Sequence, residues 1–204
     1  MRLAILGAGE MGATHAGAYA RFGKKEHAEI AAIVSRSGTK ARALAKRVNA
    51  PWFTDPQKIL RDDSIDAIDV TVPSDLHRKF VVAALARGKH VFCETPIALT
   101  LRDADAMIDA ARANRRIFMV AQLMRFVADY QRAHDEATSG KLDKPRVVVA
   151  RRLSRPYCLQ NDLGRSGSTA NQSSSSRSTI SASRIGSSAG RSRSWRKAYR
   201  AQVA

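Results

Sequence analysis

The chain has 204 residues, 44% hydrophobic and 26% charged, with a formal net charge of +17, a size and balance that fit one full globular domain with part of a second. No run approaches the roughly 18 to 20 uncharged apolar residues of a membrane span, and the start of the chain lacks the basic-then-apolar layout of a secretory signal, so the expected location is cytoplasmic. Two cysteines, Cys93 and Cys158, with neither C-x-x-C spacing nor a histidine cluster beside them, exclude a disulfide framework and a structural zinc site, and no metal is expected.

In chain order, short β-branched apolar runs alternate with longer segments of helical period, the pattern of repeated βα units around a parallel sheet. Strands are predicted at 2–6, 30–35, 67–71, 90–93 and 117–121. Each is nearly unbroken in apolarity, as strands covered by helices on both faces should be. Helices are predicted at 10–22, 39–48, 75–86, 101–113 and 128–138, with Ser74 and Thr100 placed as N-caps and Gly88 as a C-terminal stop. After Gly140 one more strand is predicted at 146–153, centred on Val147, Val148 and Val149.

The C-terminal part of the chain differs in kind. Residues 160–204 contain 13 Ser and carry eight Lys and Arg against the single acid Asp162, whereas the preceding 27 basic and 17 acidic residues are interspersed. With no sustained period of 2 or 3.6, the segment cannot bury enough apolar area to offset an ordering cost of roughly 1 to 2 kcal/mol per residue. Disorder is expected there. The resulting division is a nucleotide-binding domain at 1–122, a linking helix and first strand of a second domain at 123–157, and a Ser/Arg-rich tail at 158–204.

The strongest local signal is Gly7-Ala8-Gly9-Glu10-Met11-Gly12, a G-x-G-x-x-G that follows a strand and opens a helix. Gly7 permits the tight turn, Gly9 lets the backbone approach a pyrophosphate, and Gly12 lets helix and strand pack closely, while the helix N-terminus offers N–H groups to the phosphates. Ala8, Glu10 and Met11 complete this candidate cofactor turn. The implied fold is a Rossmann-type, doubly wound α/β sheet.

The end of the second strand, about 20 residues beyond the glycines, selects the dinucleotide. A carboxylate there would accept hydrogen bonds from the adenosine ribose 2′-OH and repel a 2′-phosphate. This chain has Ser35 and Arg36, followed by Ser37 and Lys40. A hydroxyl and a forked guanidinium suit a phosphate dianion, so NADP is the preferred cofactor, with NAD the alternative.

These motifs, together with Asp66 to Ser74 followed by His77, Gly88 to Pro96, Arg125-Phe126, and Gly140-Lys141-Leu142 before Pro145, resemble the Gfo/Idh/MocA oxidoreductases over Met1 to about Tyr157. The resemblance implies a cofactor domain followed by a mixed α/β substrate domain, with hydride transfer between nicotinamide and a sugar, inositol or related polyol. It implies cofactor contacts at Gly7, Gly9, Gly12, Ser35, Arg36, Thr71, Pro73, His77 and Glu94.

Two departures qualify that expectation. Where the family carries the lysine of its Glu-Lys-Pro motif, this chain has Thr95, which can orient a substrate but has no charge change near neutral pH and cannot act as the proton acceptor. The family's second-domain His-Asp motif has no counterpart after Tyr157, and His134 and Asp135 read as a solvated helix face. The change of composition near Cys158 reads as a truncated or frameshifted second domain, so the chain is expected to bind cofactor while being catalytically impaired, and a dimer or tetramer is not expected.

Two other readings compete. In the first, the chain is a non-catalytic nucleotide- or nucleic-acid-binding protein using the basic tail, in which Arg177-Ser178, Arg191-Ser192 and Arg193-Ser194 stand near Trp195 and Tyr199. Composition alone does not make nucleic acid the expected partner. In the second, an unpaired strand at 146–153 exposes its edges and leads to aggregation.

Overall fold

The computed structural model describes residues 1–140 and the backbone of two further short strands, Val149–Arg152 and Ser178–Ser181. Tyr157, Cys158, Trp195 and most of the tail expected to be disordered lie outside the described residues. Residues 1–122 form one compact unit, and a second begins at Leu123.

The first unit is a six-stranded sheet of β1 (Arg2–Leu6), β2 (Glu29–Val34), β3 (Trp52–Phe53), β4 (Ala67–Val70), β5 (His90–Cys93) and β6 (Phe118–Val120), ordered β3-β2-β1-β4-β5-β6. Every pairing is parallel. The connecting helices are α1 (Glu10–Phe22), α2 (Gly38–Val48), the single turn α3 (Gln57–Leu60), α4 (His77–Ala86) and α5 (Leu101–Ala113). This is the doubly wound Rossmann order, and its direction reverses between β1 and β4.

The two-residue period of β1 divides the core. Leu3 and Ile5 pack with Ala16 of α1 and with Leu44 and Ala45 of α2 on one face. Ala4 and Leu6 pack with Ile59 and Leu60 of α3, Val81 and Leu85 of α4 and Met107 of α5 on the other. Fully burying each large aliphatic side chain contributes roughly 1.5 to 3 kcal/mol, which is why strands covered on both faces read as continuous apolar runs.

Local chemistry sets the element ends. Thr100 caps α5 by accepting from the Asp103 N–H at 3.1 Å, and its hydroxyl donates to the Asp103 carboxylate at 2.8 Å. Gly88, at φ +71°, ends α4 where the Lys89 N–H reaches back to the Ala84 carbonyl at 3.0 Å and the Gly88 N–H to Leu85 at 2.9 Å. Ser74 is a correction: it caps nothing and belongs instead to a 3₁₀ turn, Ser74–Leu76. Pro73 enters that turn in an extended conformation, and its carbonyl accepts from the Leu76 N–H at 2.9 Å, so the α-helix starts only at His77.

In the second unit, a 3₁₀ turn, Leu123–Phe126, precedes α6 (Ala128–Thr138). His134 and Asp135 are exposed on α6, 3.3 Å apart, as a solvated face should be. Strand β7 (Val149–Arg152) pairs antiparallel with β8 (Ser178–Ser181). That ladder places a four-residue strand inside the segment expected to have no regular structure. Its Thr179 and Ile180 are β-branched, and cross-strand backbone pairing supplies hydrogen bonds that a scan for long periods does not detect.

Candidate functional site

The fold gathers most of the sequence-derived residues at the carboxyl edge of four adjacent strands. The glycine turn follows β1, Ser35 and Arg36 follow β2, Thr71 and Pro73 follow β4, and Glu94 and Thr95 follow β5. In open parallel sheets a ligand binds in the crevice at this edge, where the strand order reverses.

The three glycines have separate physical reasons. Gly7 sits at φ +127°, and a Cβ there would meet the Thr71 carbonyl oxygen at 2.6 Å. A Cβ on Gly12 would collide with the Gly7 carbonyl, so the close approach of α1 to the turn depends on its absence. Thr71 secures the turn from β4: its N–H donates to Leu6 at 2.9 Å and its hydroxyl to the Gly7 carbonyl at 3.1 Å. Gly9 differs, since a Cβ there would meet nothing within 4 Å. It is the N-cap of α1, and no side chain caps the helix. An open backbone at an uncapped helix N-terminus fits a pyrophosphate, because first-turn N–H groups and the helix dipole both favour an anion. Ala8 is half-buried, and Glu10 and Met11 are exposed on the first turn.

At the tip of β2 the Ser35 N–H donates to the Phe53 carbonyl at 3.2 Å, and exposed Arg36 makes no ion pair with the described residues. Ser37 caps α2 by accepting from the Lys40 N–H at 3.4 Å, which brings Lys40 to the same helix start. The Trp52 ring lies against Gly38, 3.4 Å from where its Cβ would be, and is therefore beside this turn.

His77 is placed differently from the other candidates. Its side chain is buried, with Nε2 2.9 Å from the Val72 carbonyl and Nδ1 2.9 Å from the Pro96 carbonyl. The ring ties the segment after β4 to the segment after β5 and so acts as a strut beneath the crevice. Exposed Thr95 points its N–H at Glu94 Oε2 at 2.7 Å, with its hydroxyl 3.4 Å from the same oxygen.

Sequence reasoning missed a polar cluster behind this edge. His15, one turn after Gly12 on α1, has Nδ1 2.9 Å from Asp69 Oδ2 and Nε2 3.0 Å from Glu94 Oε1, and its ring stacks on Phe92 at 5.5 Å. Asp69, on β4, is 1% exposed, and its charge also acts on the Tyr19 hydroxyl. Burial opposes charging of His15, but the hydrogen bond to Asp69 and the negative charges of Asp69 and Glu94 outweigh it, so the pKa is raised above 6.5. Burial, then the charge of Asp69, pushes the Tyr19 hydroxyl up. Burial, then the charges of Asp69 and Glu94, does the same for Cys93, which stays an unreactive thiol. Two signals in the sequence mark the cluster: an aspartate inside an otherwise apolar strand, and a histidine three residues after the last glycine of the turn.

Known proteins carry the same architecture. Residues 1–122 match the profile described as "Oxidoreductase family, NAD-binding Rossmann fold". The chain is 33% identical over 157 residues to a D-glucoside 3-dehydrogenase of Escherichia coli K12, covering 76% of this chain and 44% of that protein. It is 31% identical over 150 residues to a scyllo-inositol 2-dehydrogenase (NADP(+)) of Bacillus subtilis, covering 72% and 44%. A solved NAD binding oxidoreductase from Klebsiella pneumoniae superposes with a TM-score of 0.66 at 29% identity, over 72% of this chain and 40% of that one. The chain thus spans less than half the length of these relatives. On the profile match together with the glycine turn at the point of strand reversal, it belongs to the Gfo/Idh/MocA oxidoreductase family.

Proposed function

We propose that this chain is the cofactor-binding part of a dehydrogenase that takes NADP in preference to NAD and acts on a sugar, inositol or related polyol. The observation that carries the cofactor reading is the β2 tip: exposed Arg36 beside Ser35, with Ser37 and Lys40 at the adjoining helix start and no carboxylate at Ser35 or Arg36. The substrate class rests on relatives named for a glucoside and an inositol. Gly7, Gly9 and Gly12 would hold the pyrophosphate, Ser35 and Arg36 the 2′-phosphate, and Thr71, Pro73 and Glu94 would border the nicotinamide half. His77 would contribute from beneath, by fixing the Val72 and Pro96 carbonyls. Bound NADP would supply the acceptor or donor of a hydride.

Thr95 stands where the family lysine would handle the substrate proton. A proton moved by a positioned group contributes roughly 10²- to 10⁴-fold in rate, so turnover by this chain should be slow even where cofactor binds well.

Trp52, next to the β2 tip, reports the binding. Titration followed by Trp52 fluorescence should show NADPH binding more tightly than NADH. Arg36→Ala should weaken NADPH by roughly 10- to 100-fold, the worth of a lost charge-assisted pair, while leaving NADH within about twofold. Equal affinities in the unsubstituted protein would remove the NADP preference. Absence of binding by both would remove the cofactor reading itself.

A further inference from the structure

We infer that His15 is a positioning residue of the crevice: clamped between Asp69 and Glu94, it fixes the Glu94 carboxylate and, through it, the Thr95 hydroxyl. Both Glu94 oxygens are committed, Oε1 to His15 Nε2 at 3.0 Å and Oε2 to the Thr95 N–H at 2.7 Å and hydroxyl at 3.4 Å. Removing the first contact frees the carboxylate to rotate, and the Thr95 hydroxyl loses its fixed acceptor. His15 itself has little freedom. Its ring lies on Phe92, and Nδ1 meets both Asp69 oxygens, at 2.9 and 3.1 Å.

The clamp crosses three elements. Asp69 is in β4 two residues before Thr71, Glu94 directly follows β5, and His15 rides on the helix whose N-terminus forms the glycine turn. A dinucleotide sheet is built of two mononucleotide halves, and the carboxyl ends of β4 and β5 belong to the half opposite the β2 tip. The helix that serves the pyrophosphate therefore also sets the geometry of the nicotinamide half. A ring that faces a carboxylate at each nitrogen donates to both only when it carries both protons. The other titratable groups around it, Tyr19 of α1 and Cys93 of β5, border the same carboxylates and stay neutral.

The ligand part of this inference rests on the cofactor reading, and the test separates the two. With the full chain, affinities would be measured for NADPH and for 2′-phospho-ADP-ribose, which lacks the nicotinamide, in the unsubstituted protein, His15→Gln, His15→Phe and Glu94→Gln. The expected result is a fall of about tenfold in the NADPH to 2′-phospho-ADP-ribose affinity ratio for each His15 variant, the size of one hydrogen bond to a charged group, with 2′-phospho-ADP-ribose itself within about twofold. An unchanged ratio, or equal losses for both probes, would overturn the positioning role, since a merely structural histidine moves both alike. The clamp has its own readout in the unsubstituted protein. Imidazole ¹⁵N resonances should show both His15 nitrogens predominantly protonated at pH 6.5, and Glu94→Gln should shift the titration to lower pH. A single neutral tautomer, or a titration indifferent to Glu94→Gln, would overturn the clamp whether or not either probe binds. If the unsubstituted protein binds neither probe while the resonances behave as expected, the cofactor reading fails and the clamp stands.

Discussion

Gly9 and Gly12 share one motif but answer to different forces. A methyl group on Gly12 has nowhere to go except into the Gly7 carbonyl, whereas one on Gly9 meets open space at φ −82°. Gly12→Ala should therefore lower the thermal midpoint and abolish dinucleotide binding together. Gly9→Ala should change stability by less than about 1 kcal/mol, the scale of an N-cap change, yet still weaken binding where the backbone must approach phosphate. Melting curves with and without NADPH separate the two, and a large loss of stability in Gly9→Ala would contradict the open turn. His15 makes a pH prediction at the same scale. Its folded pKa lies above 6.5, so the native state binds more protons than the unfolded state from about that pH up through the raised value. Its contribution to stability is complete below 6.5 and is lost as pH climbs through the folded pKa. Denaturant midpoints measured across this window should decline, and in Asp69→Asn or Glu94→Gln the decline should flatten. The spacing of the glycines was readable because their constraint is local. The His15 contacts join residues 54 and 79 positions apart; the sequence marks Asp69 and His15 as unusual for their places, but not that they meet each other and Glu94.

Elements with a full period and their own stop chemistry appear in the sequence with little error. The predicted bounds of α1, α5, α6, β1 and β5 match the observed ones, and β2, β4 and β6 differ by a residue at one or both ends. Thr100 explains why α5 begins where it does: its side chain satisfies one of the first-turn N–H groups, and Asp103 answers reciprocally. Thr100→Ala should cost about 1 kcal/mol in equilibrium unfolding, and Thr100→Ser should recover most of it; no loss in the alanine variant would mean the cap is redundant. The elements missed are those with no period of their own. Trp52–Phe53 is too short for alternation, and it becomes a strand because the outer edge of β2 offers Ile33 and Val34 as pairing partners. Gln57–Leu60 is one helical turn that persists because Ile59 and Leu60 are buried against the sheet.

For the molecule as a whole, the strand order brings four turns separated in sequence to one edge, and a ligand that bridges them should stabilise the unit they belong to. At about 100 times its dissociation constant, NADPH should add roughly 2.7 kcal/mol and raise the thermal midpoint by about 5 to 10 °C, with NADH adding less at the same concentration. A midpoint insensitive to both would sever the turn geometry from dinucleotide binding. Among the described residues no helix is long and apolar enough to cross a membrane. The sequence by itself determined the βα alternation, the glycine turn, the residues at the β2 tip and the family, because each rests on short-range chemistry: apolar period, left-handed backbone, cap and charge type. Only the tertiary structure decided that His77 faces inward, that Trp52 lies beside the β2 tip, and that His15 joins two carboxylates. A buried polar group must find partners wherever the packed chain brings them, and that choice is made by the assembled sheet and helices rather than by neighbours in sequence.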